Sequence, residues 1–138
     1  HIMRRRQRQM CIRDSRTPHD VMELIKNSEE NGCKVFIAAA GMAAHLAGAV
    51  AAHSTKPVIG IPIESGGMGG IDSLLSTAMM PPGVPVATVA IGKSGAKNSA
   101  ILAVQILATS DEDLAQKLVE YKQNMRSEVL EKDKKLNS

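Results

Sequence analysis

Three short apolar runs, each followed by a segment with helical spacing, constrain the fold of this chain more than any other feature. The runs are KVFIAAA, KPVIGIPI and VPVATVAIG, at residues 34–40, 56–63 and 84–92. Runs of this kind are typical of parallel strands that are buried on both faces. Helices are predicted after them over residues 42–53, 71–79 and 93–108. Strands that alternate with helices form βαβ units, so the sequence predicts an α/β fold with a parallel sheet and helices on both faces.

Two further helices are predicted outside these units. One begins near Pro18, where Ser15 or Thr17 would cap it, and ends at Asn31-Gly32 in a left-handed cap. The other is amphipathic and covers residues 111–132, after which the polar tail is expected to fray. The mean sheet has about five to six strands, so three strands leave a bare edge. We therefore expect another element or another subunit to cover it.

The charge distribution argues against nucleic-acid binding. The formal net charge is +3, but five of the 17 Lys and Arg residues and one of the 14 Asp and Glu residues lie within residues 1–15. The rest of the chain therefore carries 12 basic and 13 acidic residues. Phe36 and Tyr121 are the only aromatic residues, so the chain has no stacking platform for single strands. A nucleic-acid binder is left as an alternative that rests on the basic leader alone.

The same sequence limits other partners and cofactors. Cys11 and Cys33 form neither a disulfide framework nor a metal-ligand spacing, which favours a reduced, cytoplasmic environment and predicts no metal. No apolar run reaches the length of a membrane span, so no membrane partner is expected. GMGG is not followed by the third glycine of a dinucleotide fingerprint, and GKS lacks a P-loop glycine, since Ala87 holds that place.

Three loops follow the predicted strands and would meet at the carboxyl edge of the sheet, where open parallel sheets bind ligands. They read AAGMAAHLAG, ESGGMGGIDS and GKSGAKNS. Their small residues either let backbone N–H groups approach an anion or merely permit tight turns, and the pattern leaves both interpretations open. His45, placed early in the second helix, is a catalytic candidate or a structural histidine. Arg16 is a phosphate ligand or a surface arginine.

Several of these segments, taken in order, resemble one enzyme family. SRTP, SEENG, the stretch from AGMAAHL to DSLLS and the stretch from MPPGVPV to QILA are similar to motifs of the bacterial N5-carboxyaminoimidazole ribonucleotide mutases of purine biosynthesis. The resemblance runs from Ser15 to Leu130. It implies a flavodoxin-like three-layer αβα fold, here without its first βαβ unit. It also implies an octamer in which C-terminal helices, residues 111–131 here, pack on neighbouring subunits, and an isomerase that needs no cofactor or metal.

The reaction that the resemblance implies moves a carboxylate from an exocyclic nitrogen to a ring carbon, which gives carboxyaminoimidazole ribonucleotide. It proceeds by decarboxylation, capture of CO2 in a closed pocket and recarboxylation, with a histidine moving the proton. In this resemblance Arg16 would anchor the phosphate, while His45 would hydrogen-bond beside the base and support catalysis. The substrate-binding residues that it implies are Ser15, Arg16, Ala40, Gly41, Met42, Ala43, His45, Leu46, Ser65 and Asp72.

The sequence departs from the family's pattern in the residues that would carry the chemistry. The family's Gly-Ser-x-Ser-Asp loop does not occur in the sequence, and Ser15 stands where the motif SAHRTP has the acid–base histidine. Met42 replaces a usual glycine, and Ala47 replaces a proline. We therefore expect an impaired mutase or, alternatively, a catalytically inactive, truncated oligomeric scaffold that retains phosphate binding.

The basic leader is interpreted separately from the domain. Residues 1–14 resemble a translated sequencing adapter, and we expect them to be non-native or disordered and the mutase-like sequence to be truncated at its N-terminus. The predicted domain covers residues 15–131, and residues 132–138 form a tail.

Overall fold

The computed structural model describes residues 16–137. The predictions for Ser15 and for the leader at residues 1–14 lie outside these residues. The elements in chain order are α1 (Pro18–Glu30), β1 (Phe36–Gly41), α2 (Leu46–His53), β2 (Val58–Ile63), α3 (Ile71–Ala78), β3 (Ala87–Thr88), α4 (Gly92–Ala108) and α5 (Glu112–Leu136).

The three strands form one parallel sheet in the order β1-β2-β3. Ala38 lies opposite Gly60, and Gly60 lies opposite Thr88, so these residues form a row across the sheet. The predicted α/β fold with a parallel sheet is confirmed, and it is consistent with a flavodoxin-like arrangement that lacks some units.

Close packing at Gly60 shows which helices share a face of the sheet. A Cβ added at Gly60 would lie 3.3 Å from Ala47 Cβ of α2, and it would also overlap the side chain of Thr77 in α3. Both helices therefore cover the face on which Gly60 lies. Val21 and Ile25 of α1 belong to the same apolar cluster, together with Ala38, Ala47, Val50 and Val58.

The opposite face of the sheet is covered over β2. Ile59 is fully buried and Ile61 is 6% exposed, and α4 packs against this strand. The prediction that β2 is buried on both faces is confirmed. For β1 the same prediction is wrong, because Ile37 is 46% exposed and Ala39 is also exposed. As an edge strand, β1 has helix α2 over one face, whereas α4 lies over its neighbour β2.

The third strand is much shorter than the predicted residues 84–92. The ladder covers Ala87–Thr88, and the N–H of Val89 still donates to the carbonyl oxygen of Gly60 at 3.1 Å. Pro85 supplies no N–H, and Val84 closes a turn by donating to Pro81 O at 3.2 Å. The apolar pattern therefore extends beyond the residues that can pair.

Two helix ends have the caps that the sequence predicts, and the predicted side-chain cap at the start of α1 is not formed. Gly32 has a φ of +84°, and the N–H of Cys33 donates to Ser28 O at 2.9 Å, which confirms the left-handed cap of α1. Asp111 caps α5 by accepting from the N–H of Leu114 at 3.0 Å. Thr17 occupies the N-cap of α1 without a side-chain capping bond.

Two helix boundaries differ from the prediction by more than one residue. Helix α2 begins at Leu46 rather than at Met42, because Met42 has a φ of 54° and the chain turns there. Helix α5 continues to Leu136, beyond the predicted residues 111–132. Among residues 16–137, none of the helices combines the length and the apolar character that a membrane crossing requires.

Candidate active site

The carboxyl ends of β1 and β2 place two of the three predicted loops side by side, whereas the third, at residues 92–99, forms the start of helix α4. Gly41, the last residue of β1, lies opposite Ile63, the last residue of β2. The loops of residues 42–45 and 64–70 therefore leave the sheet next to each other. This is the edge at which open parallel sheets bind ligands.

Gly41 and Ser65 join these two loops. A Cβ added at Gly41 would lie 2.9 Å from Ser65 Cβ and 3.1 Å from Ile63 O, and it would overlap Ser65 Oγ directly. The serine side chain thus occupies the space that any other residue at position 41 would fill. Glycine is required at this position for steric reasons, and its φ is not in the left-handed region.

Two polar atoms at this edge are buried without a hydrogen-bond partner among residues 16–137. They are Ser65 Oγ and Asp72 Oδ1, which lie at the two ends of the glycine loop. The neighbouring Ser73 differs, since its hydroxyl donates to Ile63 O at 3.0 Å and to Gly70 O at 2.8 Å. An unsatisfied buried polar group costs about 1–3 kcal/mol, and native structures contain few of them.

The loop between these two atoms depends on glycine at several positions. Gly66, Gly69 and Gly70 have φ values of +87°, +60° and +83°, a region that residues with a side chain rarely adopt. A Cβ added at Gly70 would also lie 2.8 Å from Ile91 Cγ2. The end of the loop is therefore packed against the segment that follows β3, whereas additions at Gly66 and Gly69 would meet nothing within 4 Å.

His45 lies just before α2, as its N-cap residue, so the prediction that it lies inside the helix is wrong. Its side chain is exposed and lines a groove of about 170 Å³ between α1 and α2. Pro18 of α1 lines the same groove, which brings the start of α1, next to Arg16, to the side of His45. His53 lies at the other end of α2, as predicted, and its Nδ1 is 2.8 Å from Ala49 O.

The remaining predicted residues surround this edge in different ways. Ala40 and Gly41 end β1 and are half-buried, Met42 and Ala43 are exposed, and Leu46 is half-buried in the wall of the groove. Arg16 is exposed at the start of the described chain, and Ser15 lies outside it. Within residues 16–137, no group of three or more His, Cys, Asp or Glu side chains is placed to hold a metal ion.

Two features of the site were not predicted from the sequence. The sequence offers no signal for the contact between Gly70 and Ile91, because it depends on how two loops meet. The left-handed backbone of Met42 has a weak signal, since it directly follows the strand-terminal Gly41. A methionine at that position is an unusual choice for such a turn.

Comparison with known proteins gives a consistent result. Residues 9–128 match the family model of AIR carboxylase. The N5-carboxyaminoimidazole ribonucleotide mutase of Bacillus subtilis is 53% identical over 121 residues, which are 88% of this chain and 75% of the relative. The mutase of Escherichia coli K12 is 50% identical over 116 residues, 84% of this chain and 69% of the relative. That of Methanocaldococcus jannaschii is 50% identical over 121 residues, 88% and 73% of the two chains.

These matches include the strands and loops that form the carboxyl edge described above. The family model extends from residue 9 into α5, and it therefore covers every described site residue from Arg16 to Asp72. By its sequence, the chain belongs to the AIR carboxylase family.

Proposed function

We propose that the chain binds a carboxylated aminoimidazole ribonucleotide at the carboxyl edge of its sheet, in the mutase conversion of N5-carboxyaminoimidazole ribonucleotide to carboxyaminoimidazole ribonucleotide. The observation that carries this proposal is the pair of buried polar atoms, Ser65 Oγ and Asp72 Oδ1, without a partner among residues 16–137. Proteins satisfy nearly all such atoms. A pair of them at a ligand-binding edge favours a ligand with complementary groups.

The chemistry of the side chains assigns them to different parts of the ligand. The carboxylate of Asp72 only accepts hydrogen bonds and repels anions, so it suits the hydroxyl groups of ribose or an amine of the base. The hydroxyl of Ser65 can donate, so it suits the carboxylate that is transferred. The guanidinium of Arg16 suits the phosphate, which it can bind through two parallel hydrogen bonds. His45, exposed beside the start of α1, would hydrogen-bond near the base.

Access to the two buried atoms requires a movement of the glycine loop at residues 64–70. Each of the two atoms is shielded from solvent in the described arrangement. Additions at Gly66, Gly67 and Gly69 would meet nothing within 4 Å, so this part of the loop has open space around it. The middle of the loop would rearrange while Gly70 stays packed against Ile91, and closing it again would exclude water from a bound ligand.

We expect turnover by this chain to be slow, because Ser15 stands where the resembled motif has the acid–base histidine. General acid–base catalysis contributes about 10²–10⁴-fold to rate, and a serine hydroxyl does not titrate near neutral pH. The same substitution favours a second candidate function, an inactive oligomeric scaffold that binds the phosphate of the ribonucleotide without converting it.

A homo-oligomer is part of this proposal, and the second half of α5 supports it. Met125 is 48% exposed, Val129 is 64% exposed and Leu130 is 49% exposed, and none of the residues of α5 is buried. An apolar stripe on a long helix is typical of a surface that packs on another subunit. We therefore expect α5 to pack on a neighbouring copy in a cytoplasmic octamer with neither a metal nor an organic cofactor.

Calorimetry with carboxyaminoimidazole ribonucleotide tests the binding site. We expect the parent chain to bind it and Arg16→Gln to bind at least about tenfold more weakly, since charge-assisted bonds to phosphate are strong. Arg126→Gln, which removes an exposed arginine of α5, is the matched control and should bind like the parent. A parent chain that takes up no ribonucleotide would contradict the proposed site.

A turnover assay with the carboxyamino substrate separates the two candidate functions. We expect low turnover by the parent and a gain of at least about 10²-fold in Ser15→His, because the substitution supplies an acid–base group. Binding without turnover in both proteins supports the scaffold. Near-normal turnover by the parent would contradict the role given to position 15.

A further inference from the structure

Met42 combines two features that the fold does not require. Its φ is 54°, which makes it the single non-glycine residue with a positive φ in the part of the chain that the structure describes. Its side chain is 62% exposed. The left-handed region is unfavourable for a residue with a long side chain, and an exposed thioether adds little to the core. Strained residues of this kind cluster at ligand-binding sites.

The neighbours of Met42 hold its backbone in this conformation. Gly41 on one side is packed against Ser65. On the other side Ala43 is exposed, but Ala44, two residues after Met42, is 4% exposed, and its N–H donates to Met42 O at 2.9 Å. Because Gly41 and Ala44 are anchored before and after it, the turn presents the Met42 side chain to solvent at the carboxyl edge of the sheet.

We propose that the side chain of Met42 covers the bound substrate, an inference that rests on the proposed function. Its thioether would close over the flat aminoimidazole ring of the bound ribonucleotide and exclude water from the ring. Methionine suits this task because it is flexible and makes favourable contacts between sulfur and an aromatic ring. The same closure would keep released CO2 beside the ring until it is captured by carbon. This gives a reason for a methionine in a turn where glycine would be free of strain.

Calorimetry over a range of temperatures, with carboxyaminoimidazole ribonucleotide as the probe, tests whether Met42 covers the bound ligand. We expect Met42→Gly to bind about five- to tenfold more weakly than the parent, from the loss of apolar burial. The heat-capacity change of binding should become less negative, because it reports the apolar area that is buried. Met42→Leu, which keeps an apolar side chain, should stay within about twofold of the parent affinity. Met79→Ala removes a methionine that is 78% exposed at the end of α3, and it should leave both quantities unchanged.

Thermal unfolding shows whether a loss of binding reflects damage to the fold. The unfolding midpoint of Met42→Gly should not fall below that of the parent. Glycine removes the strain of the left-handed backbone, and this gain offsets the larger conformational entropy of glycine in the unfolded chain. If the parent binds and Met42→Gly binds equally tightly with the same heat-capacity change, the role proposed for Met42 is refuted while the proposed function stands. If the parent takes up no ribonucleotide, the proposed function fails and the role proposed for Met42 fails with it.

Discussion

Ser65 occupies the space that a side chain at Gly41 would need. Its Cβ is 2.9 Å from the position of a Cβ on Gly41, and its Oγ would overlap that atom. Ser65, at the start of the loop of residues 64–70, therefore packs closely against the end of β1. The hydroxyl that makes this contact has no hydrogen-bond partner among residues 16–137. Ser65 is therefore closely packed and also carries an unsatisfied polar group.

Replacing Gly41 by alanine should destabilise the protein through this contact. The added methyl group must push Ser65 away, and overpacking of this kind costs about 1–3 kcal/mol. Urea unfolding of Gly41→Ala measures the loss. Ser65→Gly makes room for the methyl group, so the double variant should lose less stability than the two single variants predict by addition. Strict additivity would show that the two residues do not interact.

Two glycines of the loop form a matched pair for the effect of backbone conformation. Additions at Gly66 and Gly67 would meet nothing within 4 Å, but Gly66 has a φ of +87° and Gly67 is not among the residues with positive φ. Gly66→Ala should lower the free energy of unfolding by about 1–2 kcal/mol. Gly67→Ala should be neutral or stabilising by up to about 1 kcal/mol, because it restricts the unfolded chain. Equal unfolding midpoints in urea would rule out the conformational explanation.

The cap of α5 gives a prediction that is independent of the site. Asp111 accepts a hydrogen bond from the N–H of Leu114 at 3.0 Å, and Glu112 and Asp113 follow it in the first turn. Asp111→Ala should lower the free energy of unfolding by about 0.5–2 kcal/mol, with a small loss of helical circular dichroism. Asp113→Ala keeps the cap and removes only one charge from the first turn, so it should cost less. A larger loss in Asp113→Ala would contradict the capping role.

The sequence predicts the architecture well because the apolar runs and the caps are local signals. The runs at residues 34–40 and 56–63 become β1 and β2, and NG at Asn31-Gly32 ends α1. Topology then places the loops, since parallel strands bring their carboxyl ends to one edge. The burial of β1 is not local, because it depends on which helix lies over each face. Ile37 is apolar and yet 46% exposed for that reason.

The details of the site depend on contacts between residues that are distant in the chain. A glycine at position 41 has many possible explanations in the sequence, and the register of β1 on β2 is needed to show that Ser65 fills its space. The burial of Ser65 Oγ and Asp72 Oδ1 likewise follows from packing, not from residue type. The resemblance predicts that both residues belong to the site, but only the structure distinguishes them from Ser73, whose hydroxyl is satisfied internally.

Ser65 and Ser73 therefore provide a paired test of function against structure. Ser73 is fully buried and its hydroxyl donates to Ile63 O and Gly70 O, so Ser73→Ala should lower the free energy of unfolding by about 1–2 kcal/mol. Ser65→Ala removes a hydroxyl without a partner and should leave the stability unchanged or slightly higher, because no bond is lost and an unsatisfied group disappears. Urea unfolding measures both effects.

Binding of carboxyaminoimidazole ribonucleotide should respond in the opposite way. Ser65→Ala should lower the affinity by about 10- to 150-fold, which is the value of one hydrogen bond to a charged group. Ser73→Ala should bind within about twofold of the parent at a temperature where both are folded, because its hydroxyl is already satisfied by backbone oxygens. If Ser65→Ala loses stability and keeps its affinity, Ser65 is a packing residue, and the role proposed for its hydroxyl is wrong. If Ser65→Ala keeps its stability and loses affinity, the ligand accounts for Ser65 Oγ, because this atom forms no hydrogen bond within residues 16–137.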